Sequence, residues 1–276
     1  MNNTLVRTLT GIVFGAIMVF GILLNGIAFG ALFLVIMLVA MKEFYTITAG
    51  SRFLGAKKLA YLAAAMVFTF TFCQLAFGLD PRWKALAILP LLLIPILSIF
   101  DKYRKNFADI SLIYAGLMYI ALPVSLVPYL VFKDGFFSGK LLLSLFIIIW
   151  ASDVGAYFLG SALGQKPNSR KLAPTISPKK SWWGFWGGVV LGIIASVVLY
   201  FVTWIPFNFW HSIAIGIIVS VGGVCGDLVE SMWKRHYGVK DSGNCIPGHG
   251  GMLDRFDSSL VAIPLAAVYM VIVNIL

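Results

Sequence analysis

Leu141-Leu-Leu-Ser-Leu-Phe-Ile-Ile-Ile-Trp-Ala-Ser-Asp153-Val-Gly-Ala-Tyr157-Phe-Leu-Gly160-Ser-Ala-Leu163 carries one formal charge in 23 residues. At 1.5 Å per residue a helix of that length crosses about 30 Å of hydrocarbon, and a helix satisfies its own backbone groups where no water can. The same ruler cuts nine spans from the chain: 5–24, 26–41, 59–79, 85–100, 110–132, 141–163, 183–205, 209–230 and 259–276. The alternating ten-residue pattern of a barrel strand does not occur. The expected fold is therefore all-α, a polytopic integral membrane protein of about nine transmembrane helices.

Composition agrees. Of 276 residues, 60% are hydrophobic and 12% charged, about half the charged share of a soluble domain, and the mean hydropathy is +0.94. A net charge of +10 could suggest a nucleic-acid partner. The basic residues, however, are scattered between apolar runs, which is how membrane-flanking charge is distributed, so no nucleic acid is expected. If the N-terminus, 42–58, 101–109, 164–182 and 231–258 share one side, that side holds seventeen Lys and Arg, from Arg7 through Lys102, Arg104 and Lys105 to Arg255. The other side holds four, Arg82, Lys84, Lys133 and Lys140. This asymmetry puts the N-terminus and those loops in the cytoplasm and the C-terminus outside. The first apolar run reaches Leu24 without a small-x-small cleavage site before the next span and reads as retained. Cys73, Cys225 and Cys245 make no disulfide framework. The expected division is a lipid-facing scaffold over 1–140 and a catalytic region over 141–276 with cytoplasmic loops 164–182 and 231–258.

Charge inside a span is expensive, about 2.5–3.5 kcal/mol at the bilayer centre on insertion scales, so polar residues there point to function. Asp153 is one, with Tyr157 at i+4 and Gly160 on the same helix face. Glycine pairs at i, i+4, such as Gly160/Gly164 and Gly188/Gly192, read as close helix packing. A second cluster begins in Gly226-Asp227-Leu-Val-Glu230-Ser231, continues through a polar loop rich in Gly, and ends in Asp254-Arg-Phe-Asp257. Carboxylates so gathered repel one another unless a cation lies among them, and all-oxygen ligands select a hard ion such as Mg2+. Cys245 and His249 lack the second pair a zinc site needs. Lys234, Arg235, Lys240 and Arg255 would face polyanions, and Gly248, Gly250 and Gly251 let backbone N–H groups approach phosphate. Acids, bases and a Gly-rich turn together describe a phosphoryl or nucleotidyl transfer site, without a Walker A loop.

The run Ser231-x2-Lys234-Arg235-x4-Lys240-Asp241-x-Gly243-x2-Ile246-Pro247-x-His249-Gly250-Gly251-x2-Asp254-Arg255-x-Asp257 closely resembles the signature of the integral-membrane phosphatidate cytidylyltransferases (CDP-diacylglycerol synthases). The resemblance extends to Gly226-Asp227-Leu228, to Asp153-x2-Ala156-Tyr157-x2-Gly160 and to Ile176-Ser177-Pro178-x-Lys180, and is weak over the first 140 residues. It implies CMP transfer from CTP, or dCTP, to phosphatidate in phospholipid biosynthesis, in a multi-pass protein of the plasma (inner) membrane with its active site facing the cytoplasm. It further implies Mg2+, alone or with a second cation, held by Asp227, Asp254 and Asp257 with Glu230 close by. Lys234, Lys240 and Asp241 are expected in the catalytic set. Asp153, Tyr157, Ser177, Lys179, Lys180, Ser231, Arg235, Gly250, Gly251 and Arg255 are expected against nucleotide or lipid headgroup. His249 would either orient the pyrophosphate or brace its turn. Expected partners are CTP, phosphatidate, membrane lipids and a second copy of the chain as a homodimer. A CTP-dependent enzyme acting on an ether lipid or polyprenol would share the nucleotide site. A secondary transporter would also bury acids, but comparison of the two halves reveals no internal repeat.

Overall fold

The structure, a computed structural model, describes residues 3–100 and 108–276. Lys102, Arg104 and Lys105 of the charge balance lie outside the described residues, as does the side chain of Arg7. Among the described residues, eight helical stretches are long and apolar enough to cross a membrane, and Thr8–Leu23 is a shorter apolar helix before them. The protein is an all-α polytopic membrane protein.

The chain forms two compact units, Met1–Ser138 with Asp241–Arg255, and Gly139–Lys240 with Phe256–Leu276. Residues 241–255 group with the N-terminal helices, because Thr10 and Glu43 of those helices bind that loop directly.

In the first unit, α1 (Asn3–Leu23) and α2 (Gly26–Thr48) are separated by Leu24-Asn25, and Asn25 caps α2 by accepting a 2.8 Å hydrogen bond from Ala28 N. α3 (Leu54–Phe77) packs on α2 and on the helical run Pro81–Ala87 and α4 (Ile88–Ile99). α5 (Ala108–Gly116), a π segment over Leu117–Ala121, α6 (Leu122–Leu126) and a 3-10 turn over Val127–Leu130 make one irregular span. Pro123 and Pro128 lie within this span, where each removes a backbone donor. The core is aromatic: Phe29, Phe33, Tyr45 and Phe68 are all but completely buried. Tyr45 Oη donates to Ile113 O at 2.6 Å, and its ring lies against Gly116 so closely that a Cβ there would come within 2.6 Å of it. The unit's outer hairpin pairs β1 (Phe132–Lys133) with β2 (Phe136–Phe137). Asp134 and Gly135 both take positive φ, 51° and 81°, the two-residue turn that Asp-Gly favours.

In the second unit, α7 (Lys140–Ala162), α8 (Trp182–Phe201), α9 (Phe209–His236) and α11 (Ser259–Ile272) pack through small residues; the short α10 (Leu253–Phe256), all but its last residue in the first unit, precedes α11. A Cβ on Gly155 would sit 2.4 Å from Gly187 O, and one on Gly226 would sit 2.4 Å from Asp257 O. Helices in lipid gain little from burying apolar area against one another, so backbone-close contact of this kind supplies the attraction. The pair Gly188/Gly192 acts in this way, Gly188 against Ser152 of α7 and Gly192 against Ser220 of α9. Between α7 and α8 the loop folds into a hairpin of β3 (Lys171–Ala173) and β4 (Ser177–Ser181), which the sequence reading leaves as loop. α9 also continues past the expected end at 230 to His236. Its last turn, Lys234-Arg235-His236, complements the negative end of the helix dipole.

Candidate active site

A cavity of about 600 Å³ opens in the second unit, lined by α7, β4, the first turn of α8 and α9. Asp153, Tyr157 and Gly160 line it from α7, Lys179 and Lys180 from β4, and Asp227 from α9. Six of the residues singled out in the sequence thus meet at one site. Ser177 lies on β4 outside the lining, paired with Ala173.

Lys180 Nζ stands 2.6 Å from Asp227 Oδ2, with the two side chains 24% and 38% exposed. Ser231 donates to Asp227 Oδ1 at 3.2 Å, one helical turn on. A second pair lies deeper: Lys234 Nζ is 2.5 Å from Glu230 Oε2, the side chains 13% and 1% exposed. Arg235, the next residue, is exposed. Adjacent helix positions diverge by about 100°, and with α9 continuous through both residues Lys234 faces inward and Arg235 outward. Asp257 accepts from Ser258 N at 2.6 Å, and Asp227, Lys234 and Asp153 are near enough to act on it electrostatically.

The signature loop in the first unit is built differently. Asp254 accepts from Ser242 N at 2.9 and 3.0 Å and from Gly251 N at 2.8 Å. His249 Nδ1 lies 3.0 Å from Thr10 Oγ1, which donates to Pro247 O at 3.0 Å. A hydroxyl has one proton and a carbonyl has none to give, so Nδ1–H is the donor of the His249 pair. The other edge of the ring lies against Gly11, where a Cβ would be 3.3 Å from Nε2. The contacts of His249 are thus with α1, through Thr10 and Gly11. Lys240, Asp241 and Arg255 are exposed, and Gly250 takes φ +85°. The Cys245 thiol is pushed up, by partial burial first and then by the charge of Glu43, against a smaller pull from Met252.

Three contributors escaped the sequence reading. Glu43 of α2 binds the loop through Ser242, Met252 and Leu253. Thr10 fixes His249. Gln165 donates to Gly160 O at 3.2 Å and Lys179 O at 2.9 Å, tying β4 to the end of α7. Glu43 had a signal, a lone acid followed by Phe44 and Tyr45 in an otherwise apolar helix; Thr10 and Gln165 had none.

Among the described residues no three His, Cys, Asp or Glu side chains are gathered as a ready-made metal cage. The carboxylates are instead matched by ammonium groups in one unit and by backbone N–H groups in the other. What the cavity brings together is two lysines, the N-terminal turn of a long helix and two carboxylates, Asp227 and Asp153, a lining whose cations and helix end suit an anionic group.

The class of this membrane protein is given by comparison with known families. The model of the cytidylyltransferase family matches residues 5–273, and the chain belongs to that family. It is similar to proteins named phosphatidate cytidylyltransferase. One from Staphylococcus haemolyticus (strain JCSC1435) is 37% identical over 174 residues, 63% of this chain and 64% of the relative. One from Staphylococcus aureus (strain COL) is 38% identical over 176 residues, with the same coverage. One from Bacillus subtilis (strain 168) is 49% identical over 118 residues, 43% of this chain and 42% of the relative. The matched stretch thus spans about two thirds or less of these relatives' length.

Proposed function

We propose that this chain is a phosphatidate cytidylyltransferase, transferring CMP from CTP to phosphatidate and releasing pyrophosphate. The observation that carries the reading is the cavity in which Lys179, Lys180 and the first turn of α8 oppose Asp227 and Asp153. Its volume suits a nucleotide-sized ligand. Membership of the family and the names of the relatives support the same reading.

The phosphate of phosphatidate is largely dianionic at pH 7, since its second ionisation lies near pH 6. One of its oxygens bonds to the α-phosphorus of CTP as the bond from that phosphorus to the oxygen bridging to the β-phosphate breaks. The electron pair leaves on pyrophosphate, and no protein nucleophile is consumed. The protein brings two polyanions together and neutralises the charge that spreads in the transition state. Lys180 is suited to leave Asp227 for an incoming phosphate oxygen, and Lys234 steadies the inner face of α9. Ser231 holds the Asp227 carboxylate in orientation.

The donor set fits Mg2+, being oxygen-only. Asp227 and Asp257 would hold it with Asp153 beside them, while Glu230 would reach it only by exchanging Lys234, and the Asp254 carboxylate is taken up by the N–H groups of its own loop. When bound, such an ion neutralises phosphate oxygens. The orientation follows the charge asymmetry, with 164–182 and 231–258 facing the cytoplasm, where CTP is available. Alkylation from outside should modify a cysteine placed at Lys133 and spare one at Lys179; the reverse pattern overturns that topology. The activity is tested with purified protein and radiolabelled CTP, with and without phosphatidate. Label entering lipid only with phosphatidate supports the proposal. Label entering an added polyprenol or ether-lipid phosphate instead, or no lipid at all, overturns it.

A further inference from the structure

Glu43 lies about 200 residues from the signature loop in sequence and is 8% exposed, yet that loop closes on it from three sides. Its Oε1 accepts from Met252 N at 2.9 Å, and its Oε2 accepts from Leu253 N at 2.8 Å and from Ser242 Oγ at 3.2 Å. Gly243 and Gly251 pass so close that a Cβ on either would come within 2.5 Å of a Glu43 oxygen. All three groups are donors, aimed at two oxygens. The arrangement suits an ionised carboxylate, which only accepts, and disfavours an amide, whose NH2 would confront an N–H.

The contacts continue inward. The Ser242 hydroxyl that meets Glu43 also accepts from Asp254 N at 3.2 Å, while Ser242 N donates to Asp254. Glu43, Ser242 and Asp254 therefore form one chain of hydrogen bonds, from a helix of the first unit to the acid that orders the glycine turn at 250 and 251. We infer that Glu43 is a positioning residue for the signature loop, holding Asp254 and the Gly250-Gly251 turn in their working geometry without touching substrate. A buried carboxylate held by two consecutive backbone N–H groups fixes the chain itself, which side-chain contacts alone do not do.

The kinetic arm of the test rests on the cytidylyltransferase reading; the loop arm does not. With Cys73 and Cys225 replaced by Ala, the alkylation rate of the Cys245 thiolate, taken from the pH dependence of the reaction so that the effect of the charge at 43 on the thiol's ionisation is divided out, reports how far the loop opens. Glu43→Gln should raise that rate about fivefold or more. It should also lower kcat about tenfold or more while the apparent KM for CTP and phosphatidate moves less than about threefold. Glu43→Asp, which keeps the charge on a shorter stem, should recover part of both. An unchanged alkylation rate overturns the inference whatever the activity, and so does unchanged kcat in an active enzyme. A wild-type protein that labels no lipid removes the reading of function and leaves the alkylation arm to decide. Should Glu43→Gln fail to fold, Ser242→Ala, which removes only the hydroxyl link, should raise the alkylation rate in the same direction; no rise then overturns the inference.

Discussion

The two units match their carboxylates with different partners. In the C-terminal unit Asp227 and Glu230 meet the ammonium groups of Lys180 and Lys234. In the N-terminal unit Glu43 and Asp254 meet the N–H groups of Ser242, Gly251, Met252 and Leu253. A lysine rides on four rotatable bonds and can swing from a carboxylate to an arriving phosphate; a backbone N–H moves only if the chain does. The first arrangement is exchangeable and suits a site that must admit and release polyanions, and the second is fixed and suits a loop that must hold its shape.

Lys234→Ala is the severest probe of the exchangeable side. It removes the ammonium group bonded to Glu230, whose side chain is 1% exposed, and breaking a buried pair from one end costs about 3–5 kcal/mol. Denaturation in detergent should show a loss of that order, and Lys234→Met combined with Glu230→Gln should recover most of it. If the single variant is as stable as wild type, the pair is not structurally buried and the contrast fails. Asp227→Asn comes next. Its carboxylate is 38% exposed, so stability should change little, whereas kcat should fall about 100- to 1000-fold if it neutralises or orders the reacting phosphates. Normal turnover would remove Asp227 from the site.

Asp254→Asn tests the fixed side. An amide offers one acceptor oxygen and turns an NH2 toward Ser242 N or Gly251 N, which should cost about 1–3 kcal/mol of stability as well as activity. Loss of activity at unchanged stability would place Asp254 with the exchangeable acids instead. Arg235→Ala should have the smallest effect, within about 0.5 kcal/mol in stability because the side chain is exposed. It should mainly raise the apparent KM for phosphatidate. Equal falls in kcat for Arg235→Ala and Lys234→Ala would contradict the inward and outward facing of the two residues.

The spans were legible because length and apolarity are properties of a sequence, and the signature was legible because its residues lie within one short stretch. Span ends were harder to place. Lys42-Glu43 breaks the apolar run, so the second span reads as ending at 41 although α2 continues to Thr48. The same polarity hid Glu43, whose meaning depends on a loop far along the chain. The β3–β4 hairpin was invisible because Lys171-Leu-Ala-Pro-Thr-Ile-Ser-Pro-Lys-Lys180 has no clean alternation and two prolines. Its place beside the cavity is set by tertiary bonds such as those of Gln165. Lys180 facing Asp227 across 47 positions follows from helix packing, which no local pattern encodes.

Glu43 also bears on the order in which the molecule can be finished. A ribosome inserts α2 long before it translates Asp241–Arg255, so a nascent chain carries this acid near the end of a membrane helix without the donors it later receives. Until then water or lipid headgroups must serve, and the helix is free to slide or tilt to reach them. Arrival of the loop supplies those donors, so a chain terminated before it would keep most of its spans but leave Glu43 without the three groups that bind it.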